Sequence, residues 1–297
     1  MKKLLGSIAF AALAAAAPII AANPAAAEGE RYVLISHAPD SDSWWNTIKN
    51  AIALASDQLG VEVEYRNPPS GDLADMARII EQAAASNPDG IITTMVDANV
   101  LSGPIKNAVD AGIDVIIINA GTPEQAHAAG ALMFVGQPEY DAGVAAGKRA
   151  KKDGIESFLC VNHLVASAST VARCQGFADG LGVELGSQMI DSGQDPAEIK
   201  NRVMAYLNAN PDTDAVLTLG PTSADPTILA LEENGMAGAI YFGTFDLGEN
   251  IVKAIKDGVI KWGIDQQPFL QGYLPVVILT NYDRYGVLPG NDINSGP

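Results

Sequence analysis

Tyr32-Val33-Leu34-Ile35-Ser36-His37 and Phe158-Leu159-Cys160-Val161-Asn162-His163 are two versions of one phrase, set about 125 residues apart. Each is an apolar run closed by a polar residue and a histidine. Downstream, Asp72-Leu73-Ala74-Asp75 and Asp195-Pro196-Ala197-Glu198 each open an amphipathic stretch. Asn87-Pro88-Asp89 and Asn210-Pro211-Asp212 close those stretches, and apolar runs follow at 90–94 and 215–218. A strand–helix–strand unit that occurs twice implies two similar lobes, each with its own core. Two such lobes facing each other form a clamp, which points to capture of a ligand between them.

The rest of the chain extends the alternation. Apolar runs of four to six residues predict strands over 32–36, 62–66, 90–94, 114–119, 133–136, 157–162, 188–192, 215–219, 240–244 and 261–265. Continuous runs of this kind suit parallel sheets covered on both faces. Helical periodicity falls between them, over 45–59, 72–86, 101–111, 140–152, 170–181, 196–210, 225–234, 249–257 and 269–282. Asp195, Pro196 and Glu198 supply an N-cap, a first-position proline and a capping partner. The fold class is therefore α/β, with two doubly wound parallel sheets and right-handed crossovers. The expected division is 28–136 plus 267–290 for the N-terminal lobe and 137–266 plus 291–297 for the C-terminal lobe, with crossings near 136 and 266.

Bulk properties narrow the partners. The chain has 297 residues and a formal charge of −17. So acidic a surface repels phosphate backbones, which argues against nucleic acid. Lys2-Lys3, an apolar stretch over 4–17 and Ala25-Ala26-Ala27 read as a cleaved export signal over 1–27. The expected site of action is the periplasm. Cys160 and Cys174 are the two cysteines, one at a strand end and one early in the next helix. In an oxidising compartment they form a disulfide, or else they stay as two buried thiols.

Ligands of open α/β sheets sit beyond the carboxyl ends of the strands. The loops there carry His37–Trp45 (HAPDSDSWW), Asn119-Ala120-Gly121, Gln137-Pro138-Glu139, Thr170–Phe177 (TVARCQGF), Gly220–Asp225 (GPTSAD), Phe245-Asp246 and Asp265–Pro268 (DQQP). Carboxylates, amides and guanidinium groups pair with sugar hydroxyls, which both donate and accept. Aromatic rings pack on the apolar face of a sugar. His37 and His163 have no metal-ligand spacing around them and read as structural, and His127 reads as a surface residue.

With these motifs together, the chain resembles the periplasmic sugar-binding proteins of the ribose/galactose type, which are type I periplasmic binding proteins and the substrate-capturing subunits of ABC importers. The likeness runs from about Tyr32 to the end. Its most specific part is G-T-F-D-L-G, containing Asp246, followed twenty residues later by the Q-Q-P that begins at Gln266. The resemblance implies ligand-binding roles for Asp42, Trp44, Trp45, Asn119, Gln137, Arg173, Phe245, Asp246 and Gln266. One tryptophan would stack on the sugar, Arg173 would lie beside the ring oxygen, and Gln137 and Gln266 would mark crossings between lobes. Relatives often carry Asp-Arg where Asn119-Ala120 stands, and Asn-Asp where this chain has Gly220–Asp225. Thr222, Ser223 or Asp225 would then substitute. The family also implies a third crossing near the carboxyl end.

No nucleophile elbow, phosphate loop, dinucleotide fingerprint or Cys/His cluster is present, so neither an enzyme nor a cofactor or metal is expected. Asp42 and Asp246 could form a glycosidase carboxylate pair, but accepting hydroxyl hydrogen bonds is the simpler role. A sugar-binding transcription regulator would need an amino-terminal helix-turn-helix where the export signal stands. The expected function is capture of a pentose, hexose or sugar alcohol by a monomer and delivery to an inner-membrane ABC permease. The alternatives are a sugar sensor serving a chemoreceptor or sensor kinase, and a secreted carbohydrate-active enzyme.

Overall fold

A computed structural model describes residues 29–296, so the export signal expected over 1–27 lies outside the described residues. The first sheet is built from β1 (Arg31–Ile35), β2 (Glu62–Arg66), β3 (Gly90–Thr93), β4 (Asp114–Ile118) and β5 (Met133–Gly136). The second uses β6 (Phe158–Asn162), β7 (Met189–Asp191), β8 (Ala215–Thr218), β9 (Tyr241–Phe245) and β10 (Trp262–Ile264). Their spatial orders are β2-β1-β3-β4-β5 and β7-β6-β8-β9-β10, and every pairing is parallel. The two lobes thus share one winding, as the repeated phrase requires.

Side chains along each strand alternate between two cores, because successive Cβ atoms point to opposite faces. Val33, Ile35, Ile91, Val115 and Ile117 pack under α2 (Leu73–Ala85) and α3 (Ala98–Asp110). Tyr32, Leu34, Ile92, Ile116 and Ile118 face α1 (Trp45–Leu59) and α10 (Pro268–Tyr285). The second sheet repeats this, with Leu159, Val161, Val216 and Phe242 against α7 (Pro196–Ala209), α8 (Pro221–Glu233) and α9 (Glu249–Lys256). Phe158, Cys160 and Leu217 face α5 (Glu139–Lys152) and α6 (Ala168–Leu181). Each fully buried aliphatic or aromatic side chain contributes about 1.5–3 kcal/mol.

α5 and α6 meet along glycines. A Cβ on Gly143 or Gly147 would strike the Arg173 or Phe177 carbonyl, and one on Gly176 or Gly180 would strike the Tyr140 or Val144 carbonyl. Backbone therefore lies on backbone. Cys160 of β6 and Cys174 of α6 are joined by a disulfide, so α6 is also tied covalently to its sheet.

The structure departs from expectation in four places. A short helix, α4 (Pro123–Ala128), starts at a capping box between Thr122 and Gln125 where a loop was expected. α3 begins three residues earlier than its periodicity suggested, because Asp97 caps it. Gly220–Asp225 is the start of α8 and not a loop, with Pro221 at the first helical position. Lastly, β11 (Ile293–Asn294) pairs with Val135 and Gly136 of β5. It extends the first sheet, although 291–297 was assigned to the C-terminal lobe. Ser295 then donates its backbone N–H to the Gly136 carbonyl at 2.9 Å. Among the described residues the chain passes between the sheets twice, and the carboxyl segment lies along the crossing without making a third passage. No described helix is long and apolar enough to cross a membrane.

Candidate functional site

The strand ends of both sheets face one polar cleft. The β1–α1 connection contributes His37, Asp42, Trp44 and Trp45, and the β4–α4 turn contributes Asn119 and Ala120. The opposite wall carries His163, Ser167, Ser169, Thr170 and Arg173 from the β6–α6 region, with Gly220, Pro221, Thr222 and Asp246 beyond β8 and β9. Gln266, at the second crossing, closes the side between the lobes.

Trp44 and Trp45 both line the cleft while belonging to the first lobe's core. Their rings meet edge-on at 5.2 Å, and Trp45 stands perpendicular to the His37 ring at 5.4 Å. Asp42 caps the turn by accepting the Trp44 backbone N–H at 3.1 Å, and burial pushes its carboxyl above the usual range.

Arg173 is the electrostatic centre of the second wall. Glu139 accepts from Arg173 Nε at 2.6 Å and from Nη2 at 2.7 Å, while Nη1 donates to the Leu219 carbonyl at 2.8 Å. The guanidinium also stacks on Phe245, 4.7 Å from the ring centre. Bidentate pairing of this kind fixes the plane of the group as well as its charge. Asp246 Oδ2 lies 3.9 Å from Nη1, close enough for attraction and too far for a hydrogen bond. Burial outweighs the Arg173 charge and the Gln266 hydrogen bond and pushes the Asp246 carboxyl up to about 7.

The crossing is built from amides. Asn119 donates Nδ2–H to Oε1 of Gln266 and of Gln271, each at 3.0 Å. Gln266 donates Nε2–H to Asp246 Oδ1 at 2.5 Å. Gln271 and Ser295 meet at 2.9 Å, and both donate to the Gln266 carbonyl. Asn119, Asp246 and Gln267 all hold positive φ angles (61°, 66° and 55°), a conformation uncommon outside glycine. Asn119 and Asp246 occupy the same place in the two lobes, directly after the fourth strand of each.

Of the residues expected at the site, Asp42, Trp44, Trp45, Asn119, Arg173, Thr222, Asp246 and Gln266 line this cleft together. Gln137, Phe245 and Asp225 do not. Gln137 donates to Glu139 Oε2 at 2.6 Å, one step behind Arg173. Phe245 lies beneath the guanidinium and is fully buried. Asp225 points to the outer mouth of the cleft, where it accepts from Asn250 at 2.9 Å. Thr222, three residues earlier on α8, lies on the same helix face and reaches both this mouth and the inner cleft. Sequence reasoning missed Glu139, which only its partner Arg173 identifies.

Sequence reasoning also set aside the two histidines, although their duplicated position was a signal. Burial, with the Arg173 charge, pushes His37 down to about 4 and His163 down to about 3. Both are neutral at neutral pH. The lobes touch beside the cleft: Gly121 donates its N–H to Ser169 Oγ at 3.2 Å, and Leu164 packs on the first lobe's core. Among the described residues no His/Cys/Asp/Glu cluster could hold a metal ion.

A family described as "Periplasmic binding protein domain" matches residues 32–283. The xylose/arabinose-binding protein of Sulfolobus acidocaldarius is 28% identical over 239 residues, covering 75% of this chain and 59% of its own length. The D-ribose/D-allose-binding protein of Pseudomonas aeruginosa is 29% identical over 205 residues, covering 66% of this chain and 63% of its own length. The chain thus spans about three fifths of both curated relatives. A carbohydrate transporter from Acidothermus cellulolyticus 11B, solved in complex with myo-inositol, is 32% identical with a TM-score of 0.83. That alignment covers 91% of this chain and 93% of the solved one.

Proposed function

This chain belongs to the periplasmic binding protein family, and from that premise we propose that it captures a neutral monosaccharide, pentose or hexose, or a sugar alcohol, for an ABC importer. The observation that carries this reading is the cleft wall itself. Arg173, Asp246, Asn119, Asp42 and Gln266 present donors and acceptors beside two tryptophans in one cleft. Hydroxyls of a polyol can pair with all of these groups. Relatives named for xylose, arabinose, ribose and allose, and a solved relative holding myo-inositol, support the same ligand class.

In the proposed cycle the open lobes admit ligand, then close by bending at the two crossings, a motion the general repertoire of such proteins includes. Closure removes water, so the hydrogen bonds to ligand strengthen in the lower dielectric. The closed shape is the one offered to the permease. Export through residues 1–27, action in the periplasm as a monomer, and the absence of any catalytic step complete the proposal.

A thermal-shift screen against pentoses, hexoses and cyclic and linear polyols tests it. A ligand at about 100 times its dissociation constant stabilises the protein by about 2.7 kcal/mol. Scattering from the same mixture should show a more compact particle. No stabilisation by any member of the panel would overturn the reading.

A further inference from the structure

His163 directly follows the first strand of its lobe and His37 stands two residues beyond the first strand of the other, and both rings line the cleft from opposite walls. Each is pinned through Nδ1 to a hydroxyl of its own lobe, His37 to Thr94 Oγ1 at 3.1 Å and His163 to Ser223 Oγ at 3.2 Å. Trp45 braces the His37 ring edge-on, and Ser223 is held in turn by the Leu219 backbone N–H at 3.1 Å. Neither Nε2 has a protein partner among the described residues, and neither is among the buried polar atoms left unpaired. Both atoms are therefore open to the cleft. A core histidine would have both nitrogens satisfied or shielded. These two are anchored on one side and free on the other.

We propose that His37 and His163 are a recognition pair that grips the ligand from opposite jaws, each through Nε2 to one hydroxyl. This inference rests on the sugar-or-polyol reading above and adds two residues that the reading does not require. A neutral imidazole offers either a lone pair or an N–H at Nε2, and a hydroxyl can answer both. A carboxylate or an ammonium group can answer only one. Arg173, the cation of the cleft, is already faced by Glu139 and Asp246, so an anionic ligand would find no free counterion there. The ligand class is thus an uncharged polyol with two hydroxyls directed to opposite lobes. Since the histidines belong to different lobes, both contacts exist only in the closed form and bias the equilibrium towards it.

The chain has three histidines, and the third, His127, is exposed near Asp292, so imidazole nitrogen NMR can follow each ring with an internal control. The parent protein, labelled with 15N-histidine, is titrated with the tightest binder by calorimetry from the panel of pentoses, hexoses and cyclic and linear polyols above, which includes D-ribose, D-xylose, L-arabinose, D-galactose and myo-inositol. The Nε2 resonances of His37 and His163 should both move and that of His127 should stay.

Calorimetry on variants gives the second arm. An asparagine amide reaches about as far as Nδ1 and a glutamine amide about as far as Nε2. His37→Asn and His163→Asn should keep the Thr94 or Ser223 anchor and weaken binding tenfold or more. His37→Gln and His163→Gln should recover part of that loss. If the parent binds no member of the panel, the proposed function fails, and this inference fails with it. If the parent binds while either Nε2 resonance stays still, or either asparagine variant binds within twofold of the parent, the recognition pair alone is overturned.

Discussion

Glu139 grips Arg173 with both carboxylate oxygens, at 2.6 and 2.7 Å, in a site where both side chains are almost inaccessible to solvent. Neither residue could be buried without the other. Removing one partner of such a pair costs about 3–5 kcal/mol, because the survivor keeps an uncompensated buried charge. Glu139→Gln should therefore lower unfolding free energy by about that amount and weaken ligand binding through a misplaced guanidinium. Glu139→Leu combined with Arg173→Met should regain much of the stability and none of the affinity. Urea unfolding and calorimetry on the same variants separate the two effects. A Glu139→Gln variant as stable as the parent would show that the pair is not coupled as described.

Asp246 gives the protein a pH signature. Its folded carboxyl titrates at about 7, against roughly 3.9 in an unfolded chain. Between those values the folded state binds the extra proton, so this group lowers stability as pH rises from about 4 to about 7. Asp246→Asn should gain stability relative to the parent across that window and hold a constant difference above it. Melting curves of both proteins from pH 4 to pH 8.5, without ligand, check this. A difference that does not change with pH would refute the buried-carboxyl account.

Reduction of the Cys160–Cys174 bridge should destabilise the second lobe. The bond closes a loop spanning a sequence separation of 14 residues, and a loop of that size is worth about 3 kcal/mol. Paired cysteine-to-alanine replacement, compared with the parent under oxidising and reducing conditions, measures it. The reduced parent and the variant should melt at similar temperatures.

Gly147→Ala tests the glycine contact between α5 and α6. The added methyl meets the Phe177 carbonyl, so the helices must separate. Overpacking of this kind costs about 1–3 kcal/mol. Glu139 rides on α5 and Arg173 on α6, so ligand affinity should fall together with the melting temperature. Gly154→Ala, at a position with open space but a left-handed backbone (φ 87°), should cost stability without touching affinity.

The architecture was legible because the chain repeats it. Two closely matched phrases, ending in His37 and His163, were enough to expect two sheets of one design, and strand alternation supplied both cores. The misreadings have local causes. Gly220–Asp225 is polar and rich in turn formers, which masked Pro221 as the first residue of a helix. α4 is only six residues long, although its Thr122–Gln125 capping box was present to be read. β11 pairs across a sequence distance no local pattern encodes. At the site, Arg173 and Asp246 could be anticipated from motifs. Glu139 could not, because an acidic residue at a helix start ordinarily serves the helix dipole, and only the approach of α6 makes it a counterion.

Asn119 and Asp246 hold equivalent places on the two sheets, and a single amide lies between them. Gln266 is not itself symmetric: its oxygen faces Asn119 and its nitrogen faces Asp246. A duplicated frame has thereby acquired a direction, with an amide required on one side and a carboxyl on the other. Whatever rests against that amide meets walls of unequal character. A molecule with distinguishable ends has one preferred way to lie there.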